Sequence, residues 1–209
     1  MPSDIQKIDV FFRDPESPKE ETYSSLYKLR SDLYRCLFSQ NSDGEPLLWP
    51  AAMLMLAGID LMSSFYSGNP IAQRLCNIRQ RYTLFCSDCF ALEDQVTDPD
   101  VLWNFRCALL HDYSIVAQQI NSISKRRLGL CFEIGNPQLF FKNNPSFDYL
   151  LNVSSFYNKF KEAINKFEGK VRNNIDDHKT NFLVMSDYMG VIGFDSMSPI
   201  TSASLVINY

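Results

Sequence analysis

Two side chains five positions apart, Arg106 and His111 in the stretch FRCALLHDY, are the residues of this chain best suited to chemistry. An imidazole serves as a general acid or base, and a guanidinium grips an anion through a fixed fork of N–H donors. Together they could hold a phosphate and move a proton beside it. Arg106 stands among Trp103, Phe105, Leu109 and Leu110, and arginine is rarely buried without a partner for its charge. The candidate partner is Asp60, the single acid in the apolar run from Leu47 to Tyr66, where an unpaired carboxylate would be costly to bury. Asp60 is therefore expected to contact Arg106, His111 or both. A plainer arrangement stays open, in which Asp60 and Arg106 form a core ion pair and His111 merely caps the end of its helix.

The remaining candidates are weaker. His178, the only other histidine, falls in the polar stretch 173–179 and reads as a solvated loop residue. Cys86 and Cys89 in CSDC have metal-like spacing, but with no second pair and no histidine nearby they are expected on the core side of a helix. All six cysteines (Cys36, Cys76, Cys86, Cys89, Cys107 and Cys131) read as reduced, small core residues rather than a disulfide framework. There is no glycine-rich phosphate loop, metalloprotease histidine pair or serine-hydrolase elbow, so no metal and no cofactor is implied. A net charge of -4 and a pI near 5.2 argue against coating nucleic acid by bulk electrostatics. A local phosphate site remains open, with Lys125, Arg126 and Arg127 as its candidates. The spaced Lys159, Lys161, Lys166, Lys170 and Arg172 read as a solvated helix face.

The elements that must position these groups are mostly helical. With 209 residues, 45% of them apolar and 21% charged, the chain has the balance of one globular domain with a full core. Residues 1–20 read as an N-terminal arm, with the alternating Ile8 to Phe12 as a short edge strand or loose segment. Residues 21–209 read as a single helical domain with α/β elaboration in its C-terminal half. Helical spacing predicts a first helix over 22–38 and a second opened by Pro50, apolar nearly all round and therefore central, stopped by Gly68, Asn69 and Pro70. A third places Ile71, Leu75, Ile78, Tyr82, Phe85, Cys89 and Leu92 on one stripe. Asp98 and Pro99 open the fourth, which buries Val101, Leu102, Phe105 and Leu109 and carries Arg106 and His111. Residues 127–142 suggest a small hairpin, so that the C-terminal half is expected to carry a small β hairpin or short strands. Ser146 is expected to cap a long fifth helix with Phe147, Leu150, Tyr157, Phe160, Ile164, Phe167 and Val171 as its seam, and a sixth covers 180–189. The β-prone end, 202–209, is expected to pair with the hairpin or with Ile8 to Phe12. The N-terminus resembles neither a signal nor a transit peptide, and the Leu47 to Tyr66 run is broken by Pro50, Gly58, Asp60, Ser63 and Ser64. A cytoplasmic protein without a membrane span is expected.

RCALLH, an arginine and a histidine separated by four residues at the end of a helix, preceded by a polar residue in an apolar helix, resembles the signature of the HEPN superfamily (higher eukaryotes and prokaryotes nucleotide-binding). The likeness runs from Ala51 to Tyr113: GIDLMSSFYSGN, then a helix, then LWNFRCALLHDYSI. It implies a mainly α, HEPN-like helical bundle that forms a homodimer and acts as a metal-independent endoribonuclease, in a toxin or anti-phage defence role, with Arg106 and His111 catalytic and Asp60 in support. Metal-free RNA cleavage needs a base for the ribose 2'-hydroxyl, an acid for the leaving 5'-oxygen and positive charge on the phosphate. Two facing copies of the motif would supply both proton-transfer roles. Tyr113 extends the pattern to the position that, in toxins paired with a nucleotidyltransferase antitoxin, the partner modifies; an ordinary amphipathic tyrosine is the alternative. Cys107 stands where active members often carry Asn or Asp. That departure, with the acidic pI, favours the alternative function: a non-catalytic HEPN-like helical dimer binding a nucleotide, nucleic acid or protein partner.

Overall fold

The apolar run that contains Asp60 becomes the axis of the molecule. In the computed structural model, which describes residues 3–15, 22–38, 45–68, 78–111, 116–118, 125–142, 145–189 and 193–194, it forms a 20-residue helix, α3 (Leu48–Ser67). Among the described helices, α2 (Ser25–Phe38), α4 (Ile78–Cys89), α5 (Asp98–His111), α6 (Val153–Arg172) and α7 (His178–Met189) pack along it. A helix apolar on all sides must be covered on all sides, which is why this one sits at the centre. Among the described helices it alone has the length and apolarity to cross a membrane, yet here its buried residues, Ala51 to Phe65, belong to the common core. Gly68 ends it in the left-handed conformation (φ 64°), donating its N–H to the Ser64 carbonyl.

Most of each expected stripe packs, but Ile78 is 39% exposed, and Phe147 and Leu150 fall before α6 begins. Tyr82, Phe85, Cys86 and Cys89 of α4, Val101, Leu102, Phe105 and Leu109 of α5, and Phe160, Ile164, Phe167 and Val171 of α6 are all buried. Ile71, Leu75 and Cys76 lie outside the described residues, as does the segment 202–209.

Three local expectations are corrected. Ile8 to Phe12 is neither a strand nor a loose arm but part of α1 (Asp4–Phe12), opened by a capping box between Ser3 and Gln6. The apolar residues that look alternating also fit helical spacing, so Ile8, Phe11 and Phe12 share a face, and the Phe11 ring packs 4.5 Å from Phe65 and 5.1 Å from Phe182. Residues 127–142 do not fold back as a hairpin. A four-stranded sheet in the C-terminal half runs β2 (Val116–Gln118), β3 (Lys125–Cys131), β5 (Tyr149–Asn152), β4 (Phe140–Lys142), with β5 inserted between the two strands expected to pair. β3 and β5 are parallel, Leu128 opposite Tyr149, and β4 is antiparallel to β5. Asn152 explains the insertion: its amide accepts from Glu133 N–H and donates to the Glu133 and Asn136 carbonyls, closing the loop that β5 displaces. Because 149–152 are taken into the sheet, the long helix starts at Val153 and is capped by Asn152 rather than by Ser146. A separate two-residue pair joins β1 (Thr22–Tyr23) to β6 (Gly193–Phe194). The protein is thus mainly helical with a small sheet, which docks through Phe140 stacked 6.1 Å from Phe105 of α5.

Gly58 marks the tightest approach to α3. A Cβ there would lie 2.5 Å from the Phe160 ring and 3.2 Å from Leu29, and Phe160 is fully enclosed. Overpacking of this kind costs about 1–3 kcal/mol, set against roughly 1 kcal/mol gained in helix propensity. Gly58→Ala should therefore lower the thermal midpoint by a few degrees; a midpoint equal to or above wild type would show that α6 yields freely.

Candidate active site

α3 and α5 cross so that Asp60 and Arg106 meet in the wall between them. Arg106 Nε donates to Asp60 Oδ2 at 2.8 Å, and Nη2 lies 2.7 Å from the same oxygen; the two side chains are 12% and 19% exposed. Trp103, one turn earlier on α5, covers the guanidinium face at 4.9 Å, a cation–π contact that strengthens as water is excluded. The third guanidinium nitrogen, Nη1, contacts His111 Nε2. Arginine has no acceptor, so Nε2 must accept, and in this arrangement the ring proton belongs on Nδ1. His111 itself is exposed on the last turn of α5. Burial pulls the Arg106 pKa down, but the hydrogen bonds and charge of Asp60, with the Cys107 thiol, more than reverse this and raise it. Arg106 is thus a fixed cation with one edge on a carboxylate and another against an imidazole at the surface.

Two residues that sequence patterns did not single out belong to the same cluster. Arg81 of α4 feels the opposing charges of Asp60 and Arg106, and burial is the main cause of its lowered pKa. Tyr82 is completely buried, its ring edge-on to Trp103 at 5.4 Å. Its hydroxyl pKa is pushed well up, first by burial, then by Cys86 and Asp60, with Arg106 opposing. Asp60 Oδ1, Arg81 Nε and the Tyr82 hydroxyl are each buried without a hydrogen-bond partner among the described residues. The sequence offered little to find Arg81, because Arg79 two residues earlier has the same chemistry; the fold turns Arg79 outward to Asp100 at 2.9 Å and Arg81 inward.

The other expected site residues separate from this cluster. Cys107 lies beside Arg106 on α5, and Tyr113 lies outside the described residues. Lys125, Arg126 and Arg127 are on β3: the Lys125 backbone pairs with Gln118, Arg126 lies over the Tyr149 ring at 5.3 Å, and Arg127 pairs with Asp148 at 3.6 Å. No described contact joins them to Asp60, Arg106 or His111. Cys86 and Cys89 are buried, as their helical position required. Burial, with smaller contributions from neighbouring charges, holds the Cys86 thiol well above its ordinary value and pushes Cys89 up to about 12. The described cysteines are unbridged, and no group of three or more potential metal ligands occurs among the described residues.

His178 is a correction. Instead of a solvated loop residue it is the 4% exposed first residue of α7, its ring 4.2 Å from Tyr66 and 6.3 Å from Phe167. The polar stretch before it turns through three left-handed residues, Asn174, Asp176 and Asp177, and that tight turn delivers the imidazole into the core. Neither ring nitrogen meets a partner at full hydrogen-bond geometry among the described residues. Beside it, Tyr66 donates to Asp88 at 2.7 Å and Lys170 pairs with Asp88 at 2.9 Å.

Compared with family models, with curated proteins and with solved structures, the chain matches none of them.

Two measurements test this geometry. Asp60→Asn leaves a half-buried guanidinium without its counter-charge and should cost roughly 2 kcal/mol or more in urea denaturation; a loss below the error of the fit would remove the ion pair from the list of structural supports. His178 has its pKa lowered, first by burial and then by Lys170, from an ordinary value of 6.5. The folded state then refuses a proton that the unfolded chain accepts, so stability should be undiminished above the unfolded value and fall as pH drops through it toward the lower folded value. His178→Phe should flatten the decline in urea midpoint between about pH 7 and about pH 5; an unchanged pH dependence would assign that decline to other groups.

Proposed function

We propose that the chain is a HEPN-type, metal-independent endoribonuclease that works as a homodimer, with Arg106 and His111 as its catalytic pair and Asp60 holding Arg106 in place. The observation that carries this reading is the Asp60–Arg106–His111 chain of contacts: a guanidinium fixed by a carboxylate on one side and meeting an exposed imidazole on the other. In the proposed reaction Arg106 turns its Nη1 edge to the scissile phosphate, which frees His111 Nε2. The imidazole takes the ribose 2'-hydroxyl proton, and the 2'-oxygen attacks phosphorus. The bond to the 5'-oxygen breaks and that oxygen collects a proton from His111 of the facing protomer, which enters the step as the imidazolium and leaves it neutral, giving a 2',3'-cyclic phosphate and a 5'-hydroxyl. A toxin or defence role, with Tyr113 as a position an antitoxin modifies, belongs to the same reading.

One observation favours a second reading. Arg106 is only 12% exposed and already neutralised by Asp60, which suits a helical dimer that binds nucleotide, nucleic acid or protein at this site without cutting. Purified protein should cleave single-stranded RNA in the presence of EDTA, and His111→Ala should reduce the rate by about 10²- to 10⁴-fold while sedimentation still reports a folded dimer. Equal rates for the two proteins, or a wild-type chain that sediments as a monomer, would overturn the nuclease assignment, and RNA retention without cleavage would select the second reading.

A further inference from the structure

Away from the Arg106 site, α1, α2 and α6 frame an open cleft. Its floor is apolar, formed by Leu33 of α2 with Phe160 and Ile164 of α6, all buried. Arg30 closes one end. Its Nη1 donates to the Phe12 and Arg13 carbonyls at 3.2 Å and 3.0 Å, and its Nη2 to Asp14 Oδ2 at 3.2 Å. Those bonds satisfy carbonyls that the end of α1 leaves open and hold it against α2. The sides of the cleft are aromatic. Tyr34 of α2 and Tyr157 of α6 line it, and Phe38, one turn beyond Tyr34, lies 4.8 Å and 5.6 Å from the two tyrosine rings, centroid to centroid. Tyr34 and Phe38 are 44% and 51% exposed, and of the other described aromatic side chains only Tyr188 is comparably open. Exposed rings in mutual contact are a feature of interaction surfaces rather than of bare protein surface. Lys161, one turn beyond Tyr157, places Nζ 5.5 Å from the Tyr157 ring centre, and no carboxylate pairs with it among the described residues.

We propose that this cleft docks a short acidic segment of a partner protein, one apolar side chain settling over Leu33 and Ile164 and a neighbouring carboxylate meeting Lys161. Size selects the kind of occupant. The cleft measures about 330 Å³ counted to its open mouth, at the lower end of the roughly 300–1,000 Å³ of small-molecule sites, which enclose most of their ligand. An open slot of this size receives one side chain of a longer chain that continues across the rings of Tyr34 and Phe38, and aromatic rings are frequent anchors of protein interfaces. Charge selects the sign. Arg30 is balanced by Asp14 and spent on two carbonyls, so Lys161 carries the surplus positive charge and the donors still on offer. A strand of nucleic acid needs a row of cations along its phosphates, and this cleft offers one, in a chain of net charge -4. The cleft shares no residue with the Asp60, Arg106 and His111 cluster, and the proposal does not depend on the nuclease reading.

The test uses the full chain and an array of fluorescein-labelled octapeptides in which one leucine, phenylalanine or tryptophan stands among glutamates, with matching arrays built on lysine and on serine. Members of the glutamate array should bind saturably and more weakly as salt rises, and the lysine array should not bind. Lys161→Glu and Phe38→Ser, both at exposed positions, should each weaken binding about tenfold with little change in melting temperature. Lys161→Arg keeps the charge and should retain binding. A serine array that binds as tightly as the glutamate array would overturn the acidic assignment. Octauridylate bound with the same losses in both variants would give the cleft to nucleic acid, and a sedimentation mass that drops in Phe38→Ser would give it to a second copy of this chain. Either result overturns the proposal, as does a glutamate array that fails to bind or that binds both variants as it binds wild type. Because the readout is peptide binding, absence of RNA cleavage leaves this test intact.

Discussion

The constraint on which the rest depends is the cost of placing Asp60 in the middle of the most apolar helix in the chain. An ionised carboxylate taken from water loses several kcal/mol of hydration even after the protein relaxes, and it is retained only where a counter-charge with good hydrogen-bond geometry compensates. Arg106 supplies that compensation with two contacts at 2.8 Å and 2.7 Å to one oxygen. The pair pins α3 against α5 in one rotational setting, because a turn of either helix would bury one charge against hydrocarbon. With Arg106 fixed, the side of its guanidinium that meets His111 is fixed as well. The reactive-looking surface is therefore a consequence of an internal electrostatic requirement.

The setting is held from the far side by aromatic packing. Phe11 of α1, Phe65 of α3 and Phe182 of α7 lie within 5.4 Å of one another, centroid to centroid, and Phe12 extends the group to Phe167 of α6. Residues near the N-terminus and the described end of α7 thus close over the same portion of α3, and the Lys7–Asp187 ion pair joins them at the surface. On the other side Phe140 carries the small sheet onto α5. Between these two supports the central helix has little freedom, which suits a site whose geometry depends on one carboxylate. The Tyr66–Asp88–Lys170 contacts play a comparable part for α4 and α6, and His178, wedged against Tyr66 and Phe167, shows how far the interior tolerates a polar ring when aromatic faces enclose it.

Much of this was legible from residue types and spacing, and the reason is local. Apolar residues recurring every three or four positions identify the buried faces of α4, α5 and α6 whatever lies opposite them. A single acid in an apolar helix and a single arginine in another are each too costly to bury alone, so energetics makes Arg106 a candidate partner for Asp60, beside His111. Chain signals that depend on partners distant in sequence were not legible. IDVFF fits either a strand or a helix until Phe65 and Phe182 are present to receive Phe11 and Phe12. The strand order β3-β5-β4 depends on Asn152 reaching back to Glu133 and Asn136, and no period in the sequence announces it.

Charge and polarity near the core separate the two kinds of information most clearly. Composition and periodicity by themselves determined a mainly helical protein with α3 at its centre and with Asp60, Arg106 and His111 as its candidate site, because hydrophobic burial and the penalty on unpaired charge act on each helix through its own residues. Only the tertiary structure decided that Arg81 rather than Arg79 faces inward, that Arg126 and Arg127 engage Tyr149 and Asp148 instead of the Arg106 cluster, and that His178 is enclosed. Those choices turn on the rotation and approach of whole elements, and a helix surface carries arginines of identical chemistry on every side until packing selects one.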